Sequence, residues 1–285
     1  MKSVLVVGSQ KTGTTIVATV VQHSMGGGRF YVEPRSVAFF EKAGLSASPD
    51  PVVIKILYEH WMQKQSLLTG IVRGETGFRP DRTVAIVRDP RDGMISAIMY
   101  SAYERVLEGA SREQVSEWVG MVRDKEADPE RYSVTRLSEG HNRIFRVEYT
   151  PTSFLETFAS YSAWLARNRG HFHLLRYEDF VAGNTAALSA CLGREVASNR
   201  DMHPEFQRLA RTKQSGNWRK MMLDEDVAFV RERYADALAA FGYDDWQAEP
   251  QRTDPAVGSD YIIRITEEAF RRRSQGMPSA PAAHA

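Results

Sequence analysis

The chain has 285 residues, 42% of them hydrophobic and 26% charged, a length that allows one large α/β domain with a sizeable core. With 37 Lys and Arg against 36 Asp and Glu, its formal net charge of +1 excludes a global field that would recruit nucleic acid or an anionic membrane. A single cysteine, Cys191, excludes an intrachain disulfide framework and a multi-cysteine metal site, and it fits a reducing compartment.

The opening Met-Lys-Ser-Val-Leu-Val-Val is too short an apolar run for a signal peptide. No stretch approaches the length of a membrane span, so a soluble, cytoplasmic chain is expected. Residues 4–7 are β-branched or aliphatic and stop at Gly8, the pattern of a strand buried on both faces. Beyond the turn, Ile16, Val17, Val20 and Val21 share one helical face. Further buried strands are predicted at 52–57, 83–87 and 172–175, and helices at 93–103, 112–125 and 153–168. That alternation predicts a three-layer α/β fold, a central parallel sheet flanked by helices and joined by right-handed crossovers. Residues 127–149 read as polar and irregular, with a short hairpin near 144–148. The end, 275–285, is rich in Pro, Ala and Ser and reads as disordered. With no repeat and no linker, residues 1–247 read as a single domain and 248–285 as a C-terminal extension.

The turn after the first strand is Gly8-Ser9-Gln10-Lys11-Thr12-Gly13-Thr14-Thr15. A Gly- and Thr-rich turn between a buried strand and a helix presents backbone N–H groups at the positive end of that helix, which suits phosphate. The NTPase version needs a Lys directly after the second glycine; Thr14 stands there, and the cation comes earlier, as Lys11. Lys11-Thr12-Gly13-Thr14-Thr15 resembles the 5′-phosphosulfate loop of the sulfotransferase family, Lys/Arg-Ser/Thr-Gly-Thr-Thr. The resemblance implies a P-loop-like fold of bacterial type and 3′-phosphoadenosine 5′-phosphosulfate (PAPS) as co-substrate. It also implies that Ser9 to Thr15 hold the 5′-phosphosulfate, with Lys11 stabilising charge on the departing phosphate. An ammonium placed there acts more in the transition state than in the ground state.

Two later segments carry the same resemblance. Arg88-Asp89-Pro90-Arg91-Asp92 follows a predicted strand, and Ser96 stands eight residues after Arg88. Pro90 suits the first turn of a helix and Asp92 its N-terminal end. The family carries the same run and the same spacing, with the first Arg and the Ser on the 3′-phosphate. Alternating Arg and Asp otherwise read as a surface ion-pair network, which accounts for Arg91 and Asp92. Arg211-Thr212-Lys213-Gln214-Ser215-Gly216-Asn217-Trp218-Arg219 is similar to the family's late Arg-Lys-Gly-x-x-Gly-x-Trp-Lys segment. Arg211, Lys213 and Gly216 are therefore expected at the 3′-phosphate, although Thr212 and Lys213 depart from the pattern. Tyr177, in Arg176-Tyr177-Glu178-Asp179, resembles the family's strand-end Tyr beside the adenine.

Attack by a hydroxyl needs a base. The Lys-x-His strand end of many small-molecule sulfotransferases is absent here, where the run is Lys55-Ile56-Leu57. Tyr31-Val32-Glu33-Pro34 resembles the Glu-Pro of carbohydrate-acting relatives, which makes Glu33 the first candidate base; His60 and Glu59 follow. The acceptor pocket is expected from 26–44, 58–79, 100–105 and 127–149, with Gly26-Gly27-Gly28 as a mobile loop at its mouth. Phe30, Tyr31, Phe39, Phe40, Trp61 and Phe78 are candidate lining residues. The expected reaction is sulfuryl transfer to a hydroxyl of a small molecule or carbohydrate, releasing 3′,5′-adenosine bisphosphate, with no metal, nucleic acid or membrane partner. A P-loop kinase or NTPase using ATP and Mg²⁺, or a non-catalytic nucleotide-binding module, is the alternative. The sequence leaves the oligomeric state open.

Overall fold

Six consecutive buried residues, Ser3–Gly8, make the middle strand of a five-stranded sheet. The computed structural model describes residues 1–41, 45, 48–148, 150–197 and 214–276. In chain order the elements begin β1 (Ser3–Gly8), α1 (Thr14–Ser24), β2 (Arg29–Val32), α2 (Val37–Glu41) and β3 (Val52–Leu57). A 3-10 helix (Tyr58–Lys64), α3 (Gln65–Arg73), β4 (Arg82–Val87), α4 (Pro90–Leu107), α5 (Arg112–Ala127) and α6 (Val134–Phe145) follow. The rest are α7 (Pro151–Arg167), β5 (His173–Arg176), α8 (Tyr177–Val181), α9 (Ala186–Leu192), α10 (Trp218–Met221), α11 (Asp224–Ala239), a 3-10 turn (Pro255–Val257) and α12 (Ser259–Ser274).

The described residues divide into two compact units, one containing 1–88 and 157–197, the other 89–156 and 214–276. The first holds the whole sheet, ordered β2-β3-β1-β4-β5 with every pairing parallel, so the predicted α/β fold with a parallel sheet flanked by helices is what the chain adopts. Passage from β1 to β2 runs one way across the sheet, and passage from β3 to β4 runs the other. Right-handed crossovers therefore put α1 on one face and α3 on the opposite one. The part of α7 in this unit shares the α3 face: Trp164 Nε1 donates to Thr69 Oγ1 at 3.0 Å, and the Tyr161 hydroxyl donates to the Val7 carbonyl at 3.1 Å. β1, β3 and β4 are almost wholly buried, each Val, Leu or Ile contributing about 1.5–3 kcal/mol by leaving water. Parallel strands bring the ends of all five to one edge, where open α/β sheets bind ligands.

The second unit is helical. Asp89 caps α4 by accepting the Arg91 N–H at 3.0 Å, and Ser111 and Gln114 close a capping box on α5. The hairpin expected near 144–148 is not formed; Ser133 caps α6, which continues to Phe145. Val134, Leu137, His141, Ile144 and Phe145 make one buried helical face, so the polar residues between them are its solvent side. In the C-terminal extension, α12 buries Tyr261, Ile262, Ile265, Thr266 and Ala269. Among the described residues no helix is long and apolar enough to cross a membrane.

Candidate active site

The site is built on the carboxyl edge of the sheet, where β1 runs out at Gly8. A Cβ at Gly8 would lie 2.5 Å from Thr14 Cγ2 and 2.8 Å from Thr12 Oγ1, so the loop folds tightly back over the strand end. The Thr12 hydroxyl donates to the Ser9 carbonyl at 2.6 Å and closes the turn. The first α1 backbone bond runs from Val17 N–H to Gly13 C=O, which leaves the amides of Thr14, Thr15 and Ile16 without a partner inside the helix. No side chain caps this end and no acid stands in its first turn, so it is suited to an anion. Gly13 has φ 84°, and a Cβ there would stand 2.4 Å from the Tyr177 ring. Tyr177, the first residue of α8 after β5, thus packs directly on the loop.

Lys11 has φ 60°, and Glu33, just past β2, has φ 55°. Left-handed backbone in a non-glycine costs on the order of 1–3 kcal/mol and marks a place where the surroundings enforce a geometry. At Lys11, the Arg88 guanidinium, placed by the end of β4, donates from Nη1 to the Lys11 carbonyl at 2.9 Å. The same guanidinium lies 4.6 Å from the centre of the Tyr177 ring. Lys11, Gly13, Arg88 and Tyr177, predicted from three separate segments, therefore meet.

A second group sits over β2 and β3. Lys55, 4% exposed, donates from Nζ to Glu33 Oε1 at 2.6 Å. His60 Nδ1 stands 3.9 Å from Glu33 Oε2, so the two rival candidates for the base are neighbours. Burial, with Arg35 and Lys55 nearby, lowers the His60 pKa below its ordinary value; Glu33 opposes the shift. The shift favours the neutral ring. Glu59, a lesser candidate from sequence, instead reaches the loop: its Oε1 accepts from the Ser9 hydroxyl and from the Gln10 N–H, the latter at 2.7 Å. Nothing in the sequence pairs residues fifty positions apart. The only available signal was an acid two residues after a buried strand.

Phe40, Trp61 and Phe78 are fully buried and pack together at 6.0 Å, so they are core and do not line a pocket; Tyr31 and Phe39 meet edge to face at 5.1 Å. In the helical unit, Ser96 is buried in the second turn of α4, and Gly216 (φ 78°) donates its N–H to Asp92 at 2.6 Å. Arg91 and Asp92 are not a surface network: they are 1% and 0% exposed. Arg91 makes two bonds to the Asp89 carboxylate, at 2.9 and 2.7 Å, and stacks 3.7 Å over the Trp218 ring. Asp92 also accepts the Trp218 N–H at 2.8 Å. Arg211 and Lys213 lie outside the described residues. The helical unit also has a cavity of about 790 Å³ whose lining includes Arg105, Glu108, Glu117, Arg143 and Arg146; Arg105 pairs with Glu108 at 2.7 Å and Arg143 with Glu117 at 3.4 Å.

No family model matches the chain, and no curated protein matches it. Among solved structures, it is similar to the crystal structure of mouse sulfotransferase SULT7A1 complexed with PAP. The alignment covers 85% of this chain and 89% of that one at 16% identity, with a TM-score of 0.46. A likeness that loose carries no argument, and the chemistry is read from the residues themselves. Among the described residues, no group of three or more His, Cys, Asp or Glu side chains is arranged to hold a metal ion.

Proposed function

We propose that the chain is a cytoplasmic sulfotransferase that moves a sulfuryl group from PAPS to a hydroxyl of a small molecule or carbohydrate by in-line displacement. The observation that carries this reading is the meeting of Lys11, an uncapped helix start, Arg88 and Tyr177 at one strand edge. An anion-binding loop whose cation precedes it, next to a buried arginine and an aromatic ring, fits a nucleotide with phosphate at both ends. The amides of Thr14, Thr15 and Ile16 hold the 5′-phosphate. Arg88 supplies a forked, permanently charged donor to the 3′-phosphate, and Tyr177 flanks the adenine.

In the transfer step the bond between sulfur and the bridging phosphate oxygen breaks as the acceptor oxygen bonds to sulfur. Lys11 neutralises the charge that grows on the bridging oxygen. Glu33 takes the acceptor's proton, held in place by Lys55, with the neutral His60 as the neighbouring proton acceptor.

Titration calorimetry of adenosine 3′,5′-bisphosphate against ATP with Mg²⁺ tests the reading. The bisphosphate is expected to bind at least about tenfold more tightly, a difference of roughly 1.4 kcal/mol. Tighter binding of ATP with Mg²⁺ would overturn it in favour of a kinase or NTPase.

A further inference from the structure

The left-handed backbone at Lys11 is anchored on both sides. On the carbonyl side, Arg88 Nη1 donates to Lys11 C=O at 2.9 Å. On the amide side, the residue immediately before Lys11 donates its N–H to Glu59 Oε1 at 2.7 Å, and the same oxygen accepts from the Ser9 hydroxyl. The Ser9 carbonyl in turn accepts from the Thr12 hydroxyl at 2.6 Å. Glu59 therefore grips the leading limb of the loop, while the Ser9–Thr12 bond ties that limb to the residue after Lys11.

We infer that Glu59 is a positioning residue for the reaction: its Oε1 clamps Ser9 and Gln10 and so holds Lys11 in the conformation that aims its ammonium. The inference rests on the sulfuryl-transfer reading for its kinetic consequence, though not for the clamp itself. Three features separate this role from a base or a simple packing residue. Oε1 is committed to two loop donors. Oε2 is buried and has no hydrogen-bond partner in another residue, so the carboxyl's bonds to other residues all go to the loop. The clamped peptide adjoins one of three non-glycine residues with positive φ among those described, and a relaxed backbone there would turn the side chain away.

Burial pushes the Glu59 pKa up, against its bonds from Ser9 and Gln10, and Glu33 adds to the rise. The other titratable groups facing it are the Tyr58 and Tyr161 phenols, themselves raised by burial. In either protonation state the carboxyl offers the two loop donors an acceptor oxygen, and the amide oxygen of Gln offers one at the same place. Glu59→Gln is therefore the rescuing variant and Glu59→Ala the breaking one.

The first arm needs no substrate. Amide hydrogen exchange at Gln10, read by NMR on the ligand-free chain, is expected to quicken at least about tenfold in Glu59→Ala and to return to near wild type in Glu59→Gln. Unchanged exchange in Glu59→Ala overturns the clamp. The second arm is kinetic. Because small misplacements of a reacting group are costly, kcat is expected to fall about 10–100-fold in Glu59→Ala while the KM for PAPS moves less than about threefold. Glu59→Gln is expected to recover most of kcat. A rise in KM with kcat intact, or equal damage from Gln and Ala, overturns the positioning role. Should Glu59→Ala not fold, Ser9→Ala removes one of the two bonds and is expected to lower kcat about fivefold and to quicken Gln10 exchange; no change in either overturns the role. Failure of the functional reading shows separately, as a wild-type chain that does not bind adenosine 3′,5′-bisphosphate while Gln10 exchange still responds to Glu59.

Discussion

Arg88 and Arg91 are three residues apart and both buried, but they belong to different units and are used differently. In the sheet unit, Arg88 holds the carbonyl of a strained lysine and faces the Tyr177 ring. In the helical unit, Arg91 is taken up by the Asp89 carboxylate, the Asp245 and Tyr243 carbonyls and the Trp218 and Trp246 rings. Asp92, Glu126 and Asp226 follow the same rule, each accepting at least one backbone N–H at 3.0 Å or less. One unit places charge against a backbone under tension; the other encloses charge in hydrogen bonds that specify packing. Burial of an ionic group alone does not identify a functional site; what sets Arg88 apart is its bond to the left-handed Lys11.

The sharpest way to break this contrast is to remove each arginine. Arg91→Leu strands the Asp89 carboxylate in the interior and is expected to cost about 3–5 kcal/mol in urea unfolding. Arg88→Leu is expected to act mainly on adenosine 3′,5′-bisphosphate affinity, and an equal loss of stability from both erases the distinction. Lys11→Ala is expected to lower turnover about 10²–10³-fold with the melting temperature unchanged or raised. Glu33→Gln is expected to lower turnover about 10²-fold at neutral pH; near-wild-type activity moves the proton transfer to His60.

The smallest effect belongs to the helical unit. His141, 1% exposed and 2.6 Å from the Ser101 hydroxyl, has its pKa lowered by burial from 6.5 to about 4. A folded pKa below the unfolded one means that the unfolded chain binds the proton first as the pH falls. This contribution to stability is therefore complete above pH 6.5 and declines toward pH 4, by about 2–3 kcal/mol. Urea midpoints at the two ends, compared with those of His141→Gln, check it: the variant is expected to show a flatter profile.

Much of the sheet was legible because β1, β3 and β4 are buried on both faces and read as unbroken apolar runs. β2 was not, since Arg29–Val32 is a partly exposed edge strand with no apolar run. α6 was misread because its polar face dominates the composition, while the Ser133 cap and the spacing from Val134 to Ile144 carried the helix. The candidates Lys11, Arg88 and Tyr177, which the fold brings together, each follow a strand in a segment recognisable from sequence. The part played by Glu59 was not legible, because it depends on parallel strands bringing distant residues to one edge.

The positive φ angles of Lys11 and Glu33 also bear on directed evolution. Glycine relieves such backbone, by roughly 1 kcal/mol where neighbours allow. A library screened for heat resistance alone is expected to enrich Lys11→Gly and Glu33→Gly, and its most robust winners to be inert. Selection for robustness in this scaffold therefore has to be coupled to turnover, or positions 11 and 33 held constant.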